Sequence, residues 1–159
     1  MLLIRHAEKP LEGPNLSLQG KQRAAALVPY FIGNEHVIEF GTPCAIFAQG
    51  PDADHPSERP IETVIALAKT LNVPFITYSR ERYAEMVAFI QRAPEYVGKL
   101  VLICWSHDDI PLIAEKFGAK DVPEEFKGFD RTWRLTYQRS GKVSFDDLPQ
   151  KLMYGDSKN

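Results

Sequence analysis

The chain has 159 residues, of which 44% are hydrophobic and 25% are charged, and its formal net charge is −2. A chain of this length can bury roughly two-thirds of its unfolded surface in a single core. This composition excludes disorder and a disulfide scaffold, and the absence of excess lysine and arginine argues against general nucleic-acid binding. We expect one domain over residues 1–150, a polar C-terminal tail over residues 151–159, and no nucleic-acid partner.

The cysteines and the first residues predict a cytoplasmic protein. Cys44 and Cys104 lie in the apolar runs PCAIFA and LVLICW, which favours reduced thiols in buried strands over a disulfide. The apolar start MLLI leads directly into charged residues, so it is far shorter than a signal-peptide core or a membrane span. We therefore expect no signal peptide and no membrane partner.

Short apolar runs alternate with helical patterns along the chain. LLIR (2–5) predicts a first strand, and Ser17 is the expected N-cap of a helix over residues 17–32. The remaining predicted elements are strands at 44–48, 73–78 and 99–105 and helices at 58–71, 82–92 and 109–117. Strands that are apolar throughout are typical of a parallel sheet covered on both faces. The predicted fold class is α/β, a three-layer α/β/α sandwich with a mostly parallel central sheet.

The last regular elements predict an antiparallel hairpin at an edge of this sheet. Apolar and polar side chains alternate in TWRLTYQ (132–138), and Ser140 and Gly141 then offer a turn before KVSF. We expect Trp133 and Tyr137 to pack this edge strand, with a substrate-lining role as the alternative.

Charged and polar residues follow the predicted strands, at the edge where ligands bind in open α/β sheets. In strand order they are Arg5 and His6, the loop 49–59, the residues from Tyr78 to Arg82, and Ser106, His107 and Asp108. Two histidines and several arginines can thus converge on one pocket.

Taken alone, His6 could be a core residue, a metal ligand, a general base or a nucleophile. His6 and His107 do not share a helix, and neither has a cysteine or carboxylate at metal-ligand spacing, so we expect no metal and no cofactor. We interpret the acidic loop PDADHPSE (51–58) as a polar rim of the pocket rather than a metal cluster.

Four segments together resemble the motifs of the histidine phosphatase (phosphoglycerate mutase-like) superfamily. They are RHAEKP after the first strand, LSLQGKQRA at the first helix, SERPIETVIALA at the second helix, and WSH after the fourth strand. The family pattern is RHG, LSxxGxxRA, SxxxRAxxT and a strand ending in SH or GH. The resemblance covers residues 2–108, extends through the hairpin, and implies a phosphoglycerate mutase-like fold.

The resemblance implies catalytic roles for residues at three strand ends. His6 would be the nucleophile that accepts a phosphoryl group, and Arg5 and Arg59 would hold the phosphate with bidentate guanidinium groups. His107 would donate a hydrogen bond from the opposite side. One ring nitrogen of His6 must be unprotonated to attack, so we expect the other to donate to a backbone carbonyl in the loop 13–17.

Further residues are expected to bind the substrate. Lys9 falls where the acid phosphatase and phytase branch carries a second arginine, so it would add positive charge to the pocket. Asn15 and Ser106 are candidate substrate-binding residues, although Asn15 is equally explained as a turn residue before a helix cap. The chain departs from the family pattern at Ala7, which replaces the glycine of RHG, and at Pro60, which follows the motif arginine in a helix's first turn.

The proton donor for the leaving group is open at the level of sequence. Mutase-like members use a glutamate after the third strand, where this chain has Glu81 and Glu85, and phytase-like members use the aspartate that Asp108 matches. We favour Asp108, with Glu81, Glu85, Glu8 or no dedicated acid as alternatives. Compact phosphohistidine phosphatases illustrate the last case.

Short connections leave no room for the insertions that enclose sugar phosphates in mutases, so we expect an open site. The substrate would be a phosphorylated small molecule or a phosphoprotein. The favoured function is a metal-independent phosphatase that hydrolyses a phosphoester through a phosphohistidine on His6. A compact, signalling-type phosphohistidine protein phosphatase is one alternative, and a non-catalytic phosphate-binding or interaction domain is the other.

Overall fold

The structure, a computed structural model, describes residues 1–157; the last two residues of the predicted tail, 158–159, lie outside the described residues. Its strands are β1 (Leu2–Arg5), β2 (Ala45–Gly50), β3 (Phe75–Ser79), β4 (Val101–Trp105), β5 (Arg131–Tyr137) and β6 (Val143–Pro149). Its α-helices are α1 (Leu18–Gly33), α2 (Arg59–Leu71), α3 (Tyr83–Arg92) and α4 (Ile110–Lys116). Short 3₁₀ turns at Arg80–Arg82 and Pro94–Tyr96 flank α3.

The strands form one mixed sheet in the order β3-β2-β4-β1-β5-β6. The first four strands of that order are parallel, whereas β5 pairs antiparallel with β1 and β6 pairs antiparallel with β5. Arg5 is in register with Trp105, so the carboxyl ends of β1 and β4 lie side by side at the middle of the sheet. The predicted α/β fold with an antiparallel edge hairpin is therefore confirmed.

Apolar residues cover both faces of the sheet, because successive side chains of a strand point to opposite sides. In β1, Leu3 packs in the cluster that contains the buried residues of α3 and α4, and Leu2 and Ile4 pack in the cluster of α1 and α2. Trp133 is buried in the first cluster, which confirms that it packs the hairpin onto the core. Each cluster packs one pair of helices onto one face of the sheet, which gives the three layers.

The start of α1 lies against the chain that leaves β1. Ser17 caps the helix, since its hydroxyl accepts a hydrogen bond from the Gly20 N–H at 3.0 Å. Ser17 also donates its backbone N–H and its hydroxyl to the Glu8 carbonyl. The cap therefore fastens α1 to the segment just after His6.

The residues after β6 return to the domain. Asp156 forms a bidentate pair with the buried Arg23 of α1, and Ser157 donates two hydrogen bonds to Asp130. Both cysteines are free thiols, and none of the helices in residues 1–157 is long and apolar enough to span a bilayer.

Candidate active site

His6 is the first residue after β1, and it is buried beside the end of β4. Its backbone N–H donates to the Trp105 carbonyl at 3.2 Å, and its ring Nδ1 lies 2.7 Å from the Ala7 carbonyl oxygen. Because a carbonyl oxygen only accepts, Nδ1 carries the proton and the neutral ring has its lone pair on Nε2. The prediction that Nδ1 would donate to a carbonyl in the loop 13–17 is wrong, because its acceptor is the carbonyl of the next residue, Ala7.

The environment of His6 keeps its ring neutral. Burial lowers the pKa of His6 to about 4, and the positive charges of Arg5, Arg59 and His107 act in the same direction. The Ala7 carbonyl opposes these effects because it favours a protonated ring. At neutral pH the Nε2 lone pair is thus free of a proton.

Arg5 is the last residue of β1, and its guanidinium has few protein partners. Its Nη1 donates to the Gly128 carbonyl at 3.4 Å, and its Cζ lies 4.0 Å from the ring centroid of Phe129. Its Nε is buried and has no hydrogen-bond partner among residues 1–157. Burial is the main cause that lowers the pKa of Arg5, and the charge of the nearby Arg59 acts in the same direction.

Arg59 begins α2, and the loop before α1 holds its guanidinium. Its Nε donates to the Asn15 carbonyl at 3.2 Å, and its Nη2 donates to the Gly13 carbonyl. Thr63 on the next turn accepts the Ala7 N–H at 2.9 Å and donates to the Arg59 carbonyl at 2.7 Å. This threonine therefore ties the start of α2 to the backbone beside His6.

His107 and Asp108 follow β4 on the other side of the pocket. The His107 Nε2 lies 3.2 Å from an Asp108 oxygen, and the other Asp108 oxygen accepts from Arg80 Nη2 at 3.2 Å. Burial lowers the pKa of His107, with the charges of Arg5 and Lys9 acting in the same direction. Both oxygens of Asp108 thus face possible proton donors.

The predicted substrate-binding residues have different surroundings. Lys9 is exposed and near enough to affect His107 electrostatically. The Asn15 amide is already engaged, since it donates to Glu62 at 2.7 Å. The Ser106 backbone N–H donates to the buried Gln49 side chain at 3.1 Å, which orients the end of β4.

The other candidate acids are separated from the pocket or engaged elsewhere. Glu8 accepts from the buried Arg23 at 2.8 Å, and Glu85 pairs with Arg82 on the surface of α3. Glu81 lies in the 3₁₀ turn after β3, and β2 separates β3 from β4. Of these carboxylates, Asp108 is the one that contacts His107.

The loop 51–58 is organised by its own backbone. Asp52 accepts the N–H groups of Asp54 and His55 at 3.0 and 2.8 Å, and these hydrogen bonds lower the pKa of Asp52. Across residues 1–157, no three histidine, cysteine or acidic side chains are grouped so that they could hold a metal ion.

Sequence reasoning missed the segment before β5. The segment 124–128 covers one side of the pocket, where it lines a cavity of about 530 Å³ with Arg5, His107 and Asp108, and Phe129 follows it. The Phe129 ring centroid lies 5.9 Å from that of His6. None of the four family motifs includes this segment. The one sequence feature that could have pointed to it is the pair of aromatic residues of FKGF in a polar stretch.

The comparisons with known proteins agree with this architecture. The structure of the protein histidine phosphatase SixA complexed with tungstate aligns with a TM-score of 0.59 at 14% identity, over 94% of this chain and 96% of that one. A putative phosphohistidine phosphatase SixA from Agrobacterium tumefaciens aligns with a TM-score of 0.50 at 14% identity, over 92% of this chain and 95% of that one. No protein-family model and no curated protein matches the sequence. The fold is therefore that of solved histidine phosphatases. The particular protein whose structures this chain is similar to is SixA.

Proposed function

We propose that this chain is a phosphatase that acts through a phosphohistidine on His6 and that its substrate is a phosphohistidine on a protein. The observation that carries the proposal is the set of cations around a neutral nucleophile. Arg5 and Arg59 lie near His6, and neither forms an ion pair with a carboxylate within residues 1–157. Such a pocket suits the equatorial oxygens of a phosphoryl group.

The reaction has two displacements at phosphorus. In the first, the Nε2 lone pair of His6 forms a bond to phosphorus while the bond to the leaving group breaks. Arg5, Arg59 and His107 would stabilise the charge on the phosphoryl oxygens. In the second, water attacks the phosphohistidine, the N–P bond breaks, and inorganic phosphate and neutral His6 are released.

The leaving group argues for a phosphohistidine substrate. An imidazole whose second nitrogen is protonated departs as a neutral molecule, whereas an alkoxide needs a proton from a general acid. Asp108 is more than half exposed and contacts Arg80, so it is poorly enclosed for proton donation to an alcohol. The two solved structures named above carry the names of histidine phosphatases, which supports the same choice.

Hydrolysis of a phosphoester is the second candidate function. It is favoured by the contact between Asp108 and His107, which places a carboxyl group at the pocket. We expect Asp108→Asn to slow turnover of esters with poor leaving groups about 10²-fold if Asp108 is their acid. Unchanged leaving-group dependence in this variant would remove Asp108 from that role.

The proposed function is tested by looking for a covalent phosphate adduct on His6. The protein is incubated with a phosphohistidine peptide or with p-nitrophenyl phosphate, quenched in base, and examined by mass spectrometry for phosphate on His6. We expect an acid-labile, base-stable adduct that forms faster from the peptide, with turnover unaffected by EDTA. His6→Ala should abolish the adduct, while His36→Ala, at an exposed histidine beyond α1, should retain it.

Two outcomes would contradict the proposal. A wild-type protein that binds phosphate but forms no adduct and turns over neither substrate would be the non-catalytic binding domain. Faster adduct formation from the phosphoester than from the peptide would make phosphoester hydrolysis the function.

A further inference from the structure

Phe129 contacts both central residues of the pocket. Its ring centroid lies 4.0 Å from the Arg5 Cζ and 5.9 Å from the centroid of the His6 ring. A guanidinium over an aromatic face is attracted by the negative face of the ring, and this attraction grows when water is excluded. The ring therefore holds Arg5 by a contact that leaves the edges of the guanidinium free to donate.

Arg5 depends on this segment for its orientation. Its hydrogen bond to the Gly128 carbonyl is long, at 3.4 Å, and its buried Nε has no hydrogen-bond partner in residues 1–157. Arginine has a long side chain that loses substantial rotamer entropy when it is held in one conformation. Within residues 1–157, the hydrogen bond and the aromatic ring contact of this guanidinium come from residues 128 and 129.

The fold anchors Phe129 on both sides. Phe126 is buried, and its ring centroid lies 4.8 Å from that of Trp133. Asp130 is also buried, and it accepts the N–H and the hydroxyl of Ser157, both at 2.6 Å. The position of the Phe129 ring is thus set by the core on one side and by the C-terminal segment on the other.

We propose that Phe129 is a positioning residue that stacks on the Arg5 guanidinium and holds it in the orientation that binds the phosphoryl group. Phe129 transfers no proton and acts through Arg5. This role rests on the proposed function, because it is that function which identifies the bound anion as a phosphoryl group.

The test measures the affinity of the full chain for inorganic phosphate by calorimetry. Phe129→Met keeps the bulk of the side chain but removes the aromatic face, and we expect it to raise the Kd about 5-fold. Phe129→Tyr keeps the face and should stay within about 2-fold of wild type. Phe145→Met is the matched control, because its ring packs on Trp133 in the hairpin and should affect Tm but not the phosphate Kd.

A fluorinated residue separates stacking from packing. Trifluorophenylalanine at position 129 keeps the size of the ring but weakens its negative face, so it should raise the phosphate Kd without lowering Tm. This measurement also covers the case in which Phe129→Met fails to fold. An unchanged Kd in the fluorinated protein would overturn the proposal.

A double-mutant cycle tests whether Phe129 acts through Arg5. In an Arg5→Ala background, Phe129→Met should cause no further loss of phosphate affinity. If the losses of phosphate affinity in the two single variants add in full in the double variant, Phe129 acts independently of Arg5 and the proposal is overturned.

The two proposals can fail separately, because phosphate binding needs no turnover. A protein with Phe129-dependent phosphate affinity but no His6 adduct would support the positioning role and contradict the phosphatase. An active phosphatase whose phosphate affinity is the same in all Phe129 variants would contradict only the positioning role. A wild type that binds no phosphate would contradict the positioning role, and the His6 adduct would still decide the proposed function.

Discussion

At the scale of single residues, the pocket concentrates positive charge around a histidine that stays neutral. Arg5 and Arg59 lie close enough for each to disfavour the protonated form of His6. Their charges are costly next to one another, and an oxyanion between them would offset that cost. The same arrangement therefore favours anion binding and keeps the His6 ring unprotonated.

The depressed pKa of His6 predicts how stability depends on pH. The ring titrates near pH 4 in the folded state, against about 6.5 when unfolded, so the unfolded state binds the proton more readily. The stabilisation from His6 is complete above pH 6.5 and falls by about 3 kcal/mol as the pH drops to 4. We expect His6→Gln to lack this loss.

The measurement compares urea unfolding of wild type and His6→Gln between pH 7 and pH 4 in buffers without phosphate. The difference between their free energies of unfolding should shrink steadily below pH 6.5. A difference that is constant across this range would mean that His6 has an ordinary pKa in the folded protein. The acid limb of kcat/KM would then lie near pH 6.5 rather than near pH 4.

At the scale of elements, helix starts and strand ends meet at one edge of the sheet. The start of α1 closely approaches the chain after β1, because a Cβ added at Gly20 would lie 2.3 Å from the Glu8 carbonyl oxygen. This approach allows Ser17 to reach the same carbonyl. The glycine of the LSLQGKQRA segment therefore has a packing role that supports the site.

Gly20→Ala should displace α1 from the segment after His6. Since the close contact is with backbone, we expect a loss of about 2–3 kcal/mol in stability and a large loss of activity. Gly33→Ala is the control at the other end of the same helix, where nothing lies within 4 Å of an added Cβ.

The free energy of unfolding in urea and the initial rate of turnover are measured for both variants. Gly33→Ala should leave activity unchanged and raise stability by roughly 0.5–1 kcal/mol. Full activity and stability in Gly20→Ala would show that α1 can shift without cost to the site.

At the scale of the whole molecule, the C-terminal segment connects distant parts of the pocket's support. Asp156 binds Arg23, which also binds Glu8, two residues after His6. Ser157 binds Asp130, next to the ring that stacks on Arg5. The described part of the predicted polar tail thus has structural contacts with both sides of the site.

Asp156→Ala should destabilise the whole domain. Arg23 is only 3% exposed, so removal of this partner leaves a buried charge that Glu8 compensates in part. We expect a loss of roughly 3 kcal/mol and a Tm lower by several degrees. Glu85→Gln, which breaks an exposed pair with Arg82, is the control and should leave Tm unchanged. Equal Tm values for both variants would mean that the segment contributes nothing to stability.

The secondary-structure elements and most of the polar residues at their ends could be predicted from local patterns in the chain. Hydrophobic runs and caps are local patterns, so β1, β4 and α1 could be predicted within a few residues of their bounds. The rule that ligands bind at the carboxyl ends of parallel strands then predicted that His6 and His107 lie at one pocket.

The contacts that hold those residues in place could not be predicted in this way. The carbonyl that orients His6 depends on how the ring turns, and the contact of Phe129 with Arg5 joins residues 124 positions apart in the chain. The C-terminal segment was expected to be a polar tail because its composition is polar, yet Asp156 contacts a buried arginine. Such contacts depend on packing between distant segments, and no local pattern of residues encodes them.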